Sequence, residues 1–540
     1  MKKKFLSGFM AVMVAGFVLA GCGSGGNTET TKGAGTTAAA EESDNFNAEG
    51  FPIVKEPITL KVVLGIRNQD SLMPPNDMPL VQELEKKTGI HIEWDVIKAA
   101  DWSTKINLMF SSGEYPDIFI TPNTGMNVEE YGVSQGILLP VDELTEKYMP
   151  TYTERIKAED SDPTLSLVAS DGKKYSIGYL VGQNINADQH FFINQEWLDN
   201  LGLPMPQTFD ELTDTLRAFK TGDPNGNGQP DEIPLCITID SGNSCVRNML
   251  PMFGVPAGGK WLYIDEDKQI QFAPTQQGFR DCLTWLHMLY QEGVLDPEVL
   301  SQDDNTVNVK KTEGNIGFTV EWRLMAMGWD EGITKTHTLY MPTAPEGVEP
   351  QIARYLEVAG NGAFVTSSNQ HIPESMRWLD NLLETSAMFS MYYGEEGKAW
   401  EYDAENGKVN TLITDTSQLR DCLDCNALFF APTKYISETF NMSPQRIQKT
   451  EYCQRYDAAG VIQKYANRYL DMAPLSSEQR EELSLIQTDI NNAVKESIPQ
   501  FIAEGVTDKS WDAYIKRFDN MKVDKLVSTY QEGIEQLDID

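Results

Sequence analysis

Between residues 58 and 120 the apolar pattern switches repeatedly between a period of two and a period near 3.6, which leaves few folds open. Residues 58–65 alternate and carry β-branched side chains, as a strand does. Residues 79–88 place Leu80, Val81 and Leu84 on one helical face and stop at Gly89. Residues 91–96 alternate again, residues 102–111 return to a helical pattern, and 117–120 is a short apolar run after Pro116. A β-α-β-α-β succession predicts parallel strands with covering helices, because a parallel pair needs a crossover and a helix supplies it.

A second block with the same alternation begins near Phe191. Residues 191–194 read as a strand and 195–201 as a short helix. Thr208 with Glu211 three residues on is a helix start of the capping-box kind. Residues 277–291 form an amphipathic helix, 315–320 and 358–365 read as strands, 373–385 as a helix, and everything from 476 onward as helical. A chain of 540 residues exceeds what one core organises, so two or more domains are expected.

The N-terminus is of another kind. Lys2, Lys3 and Lys4 precede a mostly apolar run from Phe5 to Ala20 that is too short to span a bilayer. Leu19-Ala20-Gly21-Cys22 then resembles the lipobox of bacterial lipoproteins. That resemblance implies cleavage before Cys22, acylation of its thiol, and a membrane-anchored protein acting outside the cell. Residues 22–55 are rich in Gly, Thr, Ala, Ser and Glu and are expected to form a disordered tether.

Composition excludes several functions. The formal charge of −36 becomes about −39 without the three leader lysines, and such a surface repels nucleic acid. Six cysteines outside the leader are too few for a disulfide scaffold; Cys422 and Cys425 have CxxC spacing without a second pair, and buried free thiols or one incidental disulfide are expected. There is no GxSxG, HExxH or P-loop, and the five histidines are scattered, so an enzyme is not expected.

Three segments carry a family resemblance. Asp101 with Trp102 opens a helix that leads into Ser112-Gly113-Glu114-Tyr115-Pro116-Asp117. Phe192-Ile193-Asn194-Gln195-Glu196-Trp197-Leu198 runs on to Gly202. Gly314-Asn315-Ile316-Gly317-Phe318-Thr319-Val320-Glu321 ends at Trp322. In this order they resemble the extracellular solute-binding proteins of bacterial ABC importers, and the segment from Asp223 to Pro234 resembles the mark of one branch of these, the large oligosaccharide binders that include the alginate-binding proteins. The resemblance implies a two-lobed α/β fold, each lobe a mainly parallel sheet with flanking helices, closing on a ligand between them. The lobes are expected at 56–185 with about 356–415, and at 186–355 with about 416–540. It implies an oligosaccharide ligand, the permease subunits of an importer as partners, and action as a monomer.

The loop Asp223-Pro224-Asn225-Gly226-Asn227-Gly228-Gln229-Pro230-Asp231-Glu232 has oxygen-bearing side chains at every second residue and a glycine for the sharp turn. This matches the first nine positions of an EF-hand loop. The twelfth position is Pro234, so the usual bidentate glutamate is missing and Glu232 is the replacement. Asp223, Asn225, Asn227, Asp231 and Glu232 with the Gln229 carbonyl could hold a structural Ca²⁺; a purely polar turn is the alternative, since Asp-Pro and Asn-Gly are strong turn pairs.

Sugars present apolar C–H faces that aromatic rings cover. Trp322, just past a strand and at the family's ligand-facing position, is the first candidate. Trp261, Trp329 and Trp400 have loop-like flanks, and Tyr175 and Asn123 are weaker candidates. Trp285 and Trp378 lie on apolar helix faces and are expected in the core. A peptide ligand, a sensory role and, last, an extracellular glycosidase are the competing readings.

Overall fold

The computed structural model describes residues 42–537 and Ile539, apart from 67–72, 122–125, 160–161, 183–184, 188, 323–335, 413–421, 423–428 and 442–443. Trp329, Asn123 and Cys22 lie outside the described residues.

The strands in chain order are β1 (Ile58–Ile66), β2 (Ile90–Lys98), β3 (Ile118–Ile120), β4 (Ile177–Val181), β5 (His190–Asn194), β6 (Ile233–Leu235), β7 (Leu262–Ile264), β8 (Ile270–Phe272), β9 (Ile316–Glu321), β10 (His337–Tyr340), β11 (Gly360–Val365), β12 (Trp400–Asp403), β13 (Lys408–Thr411) and β14 (Phe430–Ala431). The first lobe holds a six-stranded sheet ordered β14-β4-β11-β3-β1-β2. The second holds a four-stranded sheet ordered β10-β5-β9-β6.

The predicted β-α-β-α-β unit is β1 to β3. β1 pairs in parallel with both β2 and β3. Its connecting helices, Pro79–Thr88 and Ala99–Ser112, each end on a left-handed glycine, Gly89 at φ 76° and Gly113 at φ 75°. Only glycine takes that conformation without Cβ strain.

One strand in each sheet runs against its neighbours. β11 is antiparallel to β3 and β4, and β5 is antiparallel to β9 and β10. Each of these strands begins where the chain crosses from one lobe to the other, so it runs away from the crossover while its neighbours run toward it. The carboxyl ends of the remaining strands therefore face the junction between lobes, where open α/β sheets bind ligands.

The crossovers lie side by side. Ala187 pairs with Arg354 in an antiparallel bridge, and the Tyr355 N–H donates to the Asn186 carbonyl at 3.0 Å. Gly182 donates to the Ala431 carbonyl at 2.7 Å, and a Cβ there would stand 2.6 Å from the Thr433 nitrogen. No larger residue fits at that crossing.

Two boundaries differ from expectation. Residues 46–54 belong to the first lobe rather than to a tether: Phe46 bridges Val54, and Ile53 and Val54 are buried. Phe46, Ile53 and Val54 supply enough apolar surface to dock, which the surrounding polar composition concealed. The second excursion into the first lobe also runs beyond 415, because β14 completes that lobe's sheet and Phe429, Ile436 and Phe440 share a core with Trp400.

Candidate functional site

A cavity of about 490 Å³ opens on the second-lobe side of the crossovers. Its wall is polar: Gln189 and Arg354 come from the two crossovers, Asn243 and Arg247 from the stretch after β6, and Lys260 and Arg468 from loops of the second lobe. Asn248, Asn467 and Asp471 add to it, and among the described residues the apolar part is leucine and alanine with one aromatic ring, Tyr355.

Hydrogen bonds hold the wall in place. Gln463, itself buried, accepts from Arg354 Nε through its carbonyl at 2.8 Å and donates from its amide to the Ile264 carbonyl at 2.6 Å. Asn467 Nδ2 donates to the Pro256 carbonyl at 2.6 Å. Lys260 pairs with Asp471; burial presses the ammonium down, but the charge and hydrogen bond of Asp471 together with Tyr530 more than offset it and hold the ammonium above its ordinary pKa. Arg247 stands 3.6 Å from Asp240 and lies over the Trp261 ring, 5.7 Å from its centroid. Gln189 Oε1 is buried with no hydrogen-bond partner.

Trp322 belongs to the same side of the second lobe. His190 in β5 is in register with Glu321 in β9, and Gln189 and Trp322 each lie one residue beyond that pair. The indole is partly exposed, and the Lys449 ammonium sits 3.4 Å from its ring centroid. Beneath it, Glu321 is held by Lys311 and by Ser244 Oγ, which donates at 2.7 Å. Burial and the Lys449 charge press His190 down to a pKa of about 3, against a hydrogen bond with the Trp322 backbone that favours the charged form.

The first lobe approaches from the other side. The short helix Tyr469–Met472 packs against the turn Pro163–Leu167, and Arg480 Nε lies 3.3 Å from Glu129 Oε1 across the junction.

Three of the aromatic candidates are corrected by packing. Trp261 is 2% exposed, wedged edge-on against Phe279, and supports the cavity floor from below. Trp400 is also 2% exposed; it packs on Phe389, and its indole N–H donates to the Gly394 carbonyl at 2.9 Å. Tyr175 is a first-lobe core residue whose hydroxyl donates to Asp171 at 2.9 Å. A ring enclosed on both faces has none left for a sugar. Trp285 and Trp378 are buried, as expected. The cationic wall was missed, because its residues are scattered from Arg247 to Arg468 with no local spacing to link them.

The acidic loop is a knot of short contacts. Gly228 N–H donates to Asp223 Oδ2 (3.1 Å), Asn227 N–H to Asn225 Oδ1 (3.1 Å) and Gln229 N–H to Asn227 Oδ1 (2.6 Å). The Asn225 and Asn227 amides both donate to Asp231, at 2.9 and 3.0 Å. Asp223 takes φ 50°, and Gly226 and Gly228 are also left-handed. Glu232 is 3% exposed, and its Oε1 is buried without a hydrogen-bond partner. Among the described residues no three Asp, Glu, His or Cys side chains are grouped as a metal site, so Asp223, Asp231 and Glu232 are not gathered into one here.

Comparison with known proteins bears on the whole chain. The fructooligosaccharide ABC transporter substrate-binding protein FusA of Streptococcus pneumoniae is 25% identical over 99% of this chain and 99% of its own length. Lipoprotein LipO of Bacillus subtilis is 24% identical over 78% of each. The structure of an S. pneumoniae FusA EF-hand mutant in complex with fructo-nystose superposes with a TM-score of 0.76 at 23% identity, covering 89% of this chain and 99% of that one. The model of the bacterial extracellular solute-binding protein family matches residues 72–389, and with the two-lobed fold around a cavity at its crossovers this chain belongs to that family.

Proposed function

We propose that this protein captures an oligosaccharide outside the cell and delivers it to the permease subunits of an ABC importer. The observation that carries this reading is the polar cavity at the lobe crossovers, in a chain similar from end to end to a fructooligosaccharide-binding protein. Amide and guanidinium groups in the wall suit sugar hydroxyls, and Trp322 suits a pyranose or furanose face. The lobes close on the ligand about the paired crossovers.

Cys22 is the acylated residue that keeps the protein at the membrane; the Leu19–Cys22 motif and the likeness to lipoprotein LipO support this. Normal membrane retention of a processed Cys22→Ala variant would count against it.

The loop at 223–232 holds a structural Ca²⁺. Asp223, Asn225, Asn227, Asp231 and Glu232 would supply side-chain oxygens and Gln229 its carbonyl. What supports this is the spacing of the oxygen-bearing residues and Glu232 Oε1, a buried oxygen without a hydrogen-bond partner; the asparagine amides that donate to Asp231 would have to turn to let its carboxylate reach the ion. Calcium would pin the loop that leads into β6.

The protein acts as a binder rather than an enzyme, and as a monomer. Calorimetry against a panel of neutral and acidic oligosaccharides, with product analysis of the same mixtures, tests the reading. Saturable binding with no change in the sugar is the expected result. Failure to bind any saccharide, or hydrolysis of one, overturns it.

A further inference from the structure

The cavity wall reverses the sign of the molecule around it. The chain carries 44 Lys and Arg against 80 Asp and Glu, yet among the described residues the wall carries Arg247, Lys260, Arg354 and Arg468 and one carboxylate, Asp471. Two of these cations are matched, Lys260 by Asp471 and Arg247 by Asp240. The other two are not. Arg354 bonds a carbonyl through Nε, and no carboxylate of the described residues lies within 4.0 Å of the Arg354 or Arg468 guanidinium. In so acidic a chain, two arginines on one cavity without a counter-charge mark a place where an anion is to arrive.

We propose that the cavity binds an acidic saccharide, with a carboxylate of the sugar held by Arg354 and Arg468. The proposal rests on the reading of this protein as an oligosaccharide binder and names the class of sugar. Guanidinium presents a planar fork of N–H donors that matches a carboxylate in two bonds at once, which an ammonium cannot do. The second observation is Gln189 Oε1, a buried acceptor without a partner in the same wall. A bare anion offers such an acceptor nothing. A sugar acid offers both functions in one molecule: an oxyanion for the arginines and a hydroxyl that donates to Gln189. The cavity volume of about 490 Å³ lies in the range of small-ligand sites, so a saccharide unit fits whole.

A sulfate or phosphate ester on a sugar presents the same oxyanion chemistry, and the experiment separates these sources. Calorimetry on the full chain compares trigalacturonate, its fully methyl-esterified form, a neutral fructotrisaccharide, and a sulfated and a phosphorylated disaccharide. Trigalacturonate is expected to bind about tenfold or more tightly than its methyl ester, since the ester keeps every hydroxyl and loses only the charge. That margin should shrink as salt rises from about 50 to about 500 mM. Arg468→Gln, at an exposed position, should abolish the preference for acid over ester, and Arg468→Lys should restore it only in part. Arg354→Gln should act alike, and its melting temperature reports any loss of the Gln463 contact. Tighter binding of the sulfated or phosphorylated sugar than of trigalacturonate would overturn the carboxylate assignment. Equal or tighter binding of the ester or the neutral trisaccharide would overturn the acidic class while leaving the oligosaccharide reading intact. Binding of no saccharide at all would remove both.

Discussion

The two sheets bury different chemistry. In the first lobe, β1, β3 and β11 meet through Leu60, Leu64, Ile118, Ile120, Ala363 and Val365, all within 1% of full burial. In the second lobe the equivalent layer admits His190, Thr319, Glu321 and His337, just as deeply buried apart from His337 at 6%. Glu321 is the end of β9, bonded to Lys311 and Ser244, with Trp322 next in sequence and Asn243 of the cavity wall next to Ser244. Buried polar groups are costly unless fully partnered, and partnered ones fix geometry. The difference teaches that the first lobe is built to be stable, while the second gives up apolar burial to hold the ends of its strands in one arrangement beside the cavity.

Removing one side of the buried pair tests this comparison hardest. Lys311→Met leaves Glu321 charged and unpaired, and should cost about 3–5 kcal/mol in chemical denaturation. The double variant Lys311→Met/Glu321→Leu should regain most of it. A single-variant cost below about 1 kcal/mol would mean that the two sheets do not differ in the way described.

Acid should act on the second lobe first. Burial is the main cause holding His190 at a pKa of about 3 and His337 at about 4, the latter against a hydrogen bond with the Ile316 carbonyl that favours the charged form. In the unfolded chain both titrate near 6.5, so between about pH 6.5 and pH 4 the unfolded state binds more protons and stability falls as pH falls. At pH 5 this amounts to about 2 kcal/mol for each histidine. Thermal unfolding from pH 7 to 5 should lose that margin, and His337→Gln should flatten part of the slope. A pH-independent melting temperature over this range would break the argument.

Calcium sharpens the contrast from another side, since only the second lobe carries the loop. A ligand that binds the folded state alone adds RT ln(1 + [L]/Kd), about 2.7 kcal/mol at a hundredfold excess. Chelator should lower the melting temperature, and Asp223→Ala should abolish that difference. Identical melting with chelator and with millimolar calcium would leave the loop a turn.

The smallest effect on folding is expected at Trp322. Trp322→Ala should weaken sugar binding by about 2 kcal/mol, roughly thirtyfold, and leave stability nearly unchanged because the ring is only partly buried. Intact affinity, or a fall in stability of about 3–5 kcal/mol, would place the ring in the core with Trp261 and Trp400.

Local rules located most of the fold. β1 to β3 and their helices follow from a change of period and two glycines, and the capping box at Thr208 and Glu211 forms as expected. The candidate site was far less legible. Gly258 and Gly259 before Trp261, and Gly394 with Gly397 before Trp400, describe the path of the chain but not what packs on the ring that follows. The Phe46 to Val54 segment failed for the converse reason: a few apolar residues in a polar stretch dock when a neighbouring strand offers them a surface.

By itself the sequence determined the α/β class, the helices that end on Gly89 and Gly113 and the capping box at Thr208, because each depends on contacts or periodicities within a dozen residues. Tertiary structure alone decided that Gln189, Arg247, Arg354 and Arg468 share one cavity, and that Glu321 is buried against Lys311. Those pairings join residues ten to almost three hundred positions apart through the crossovers and the sheet. Burial and charge at a point in space are sums over everything that packs there, and no window along the chain contains those terms.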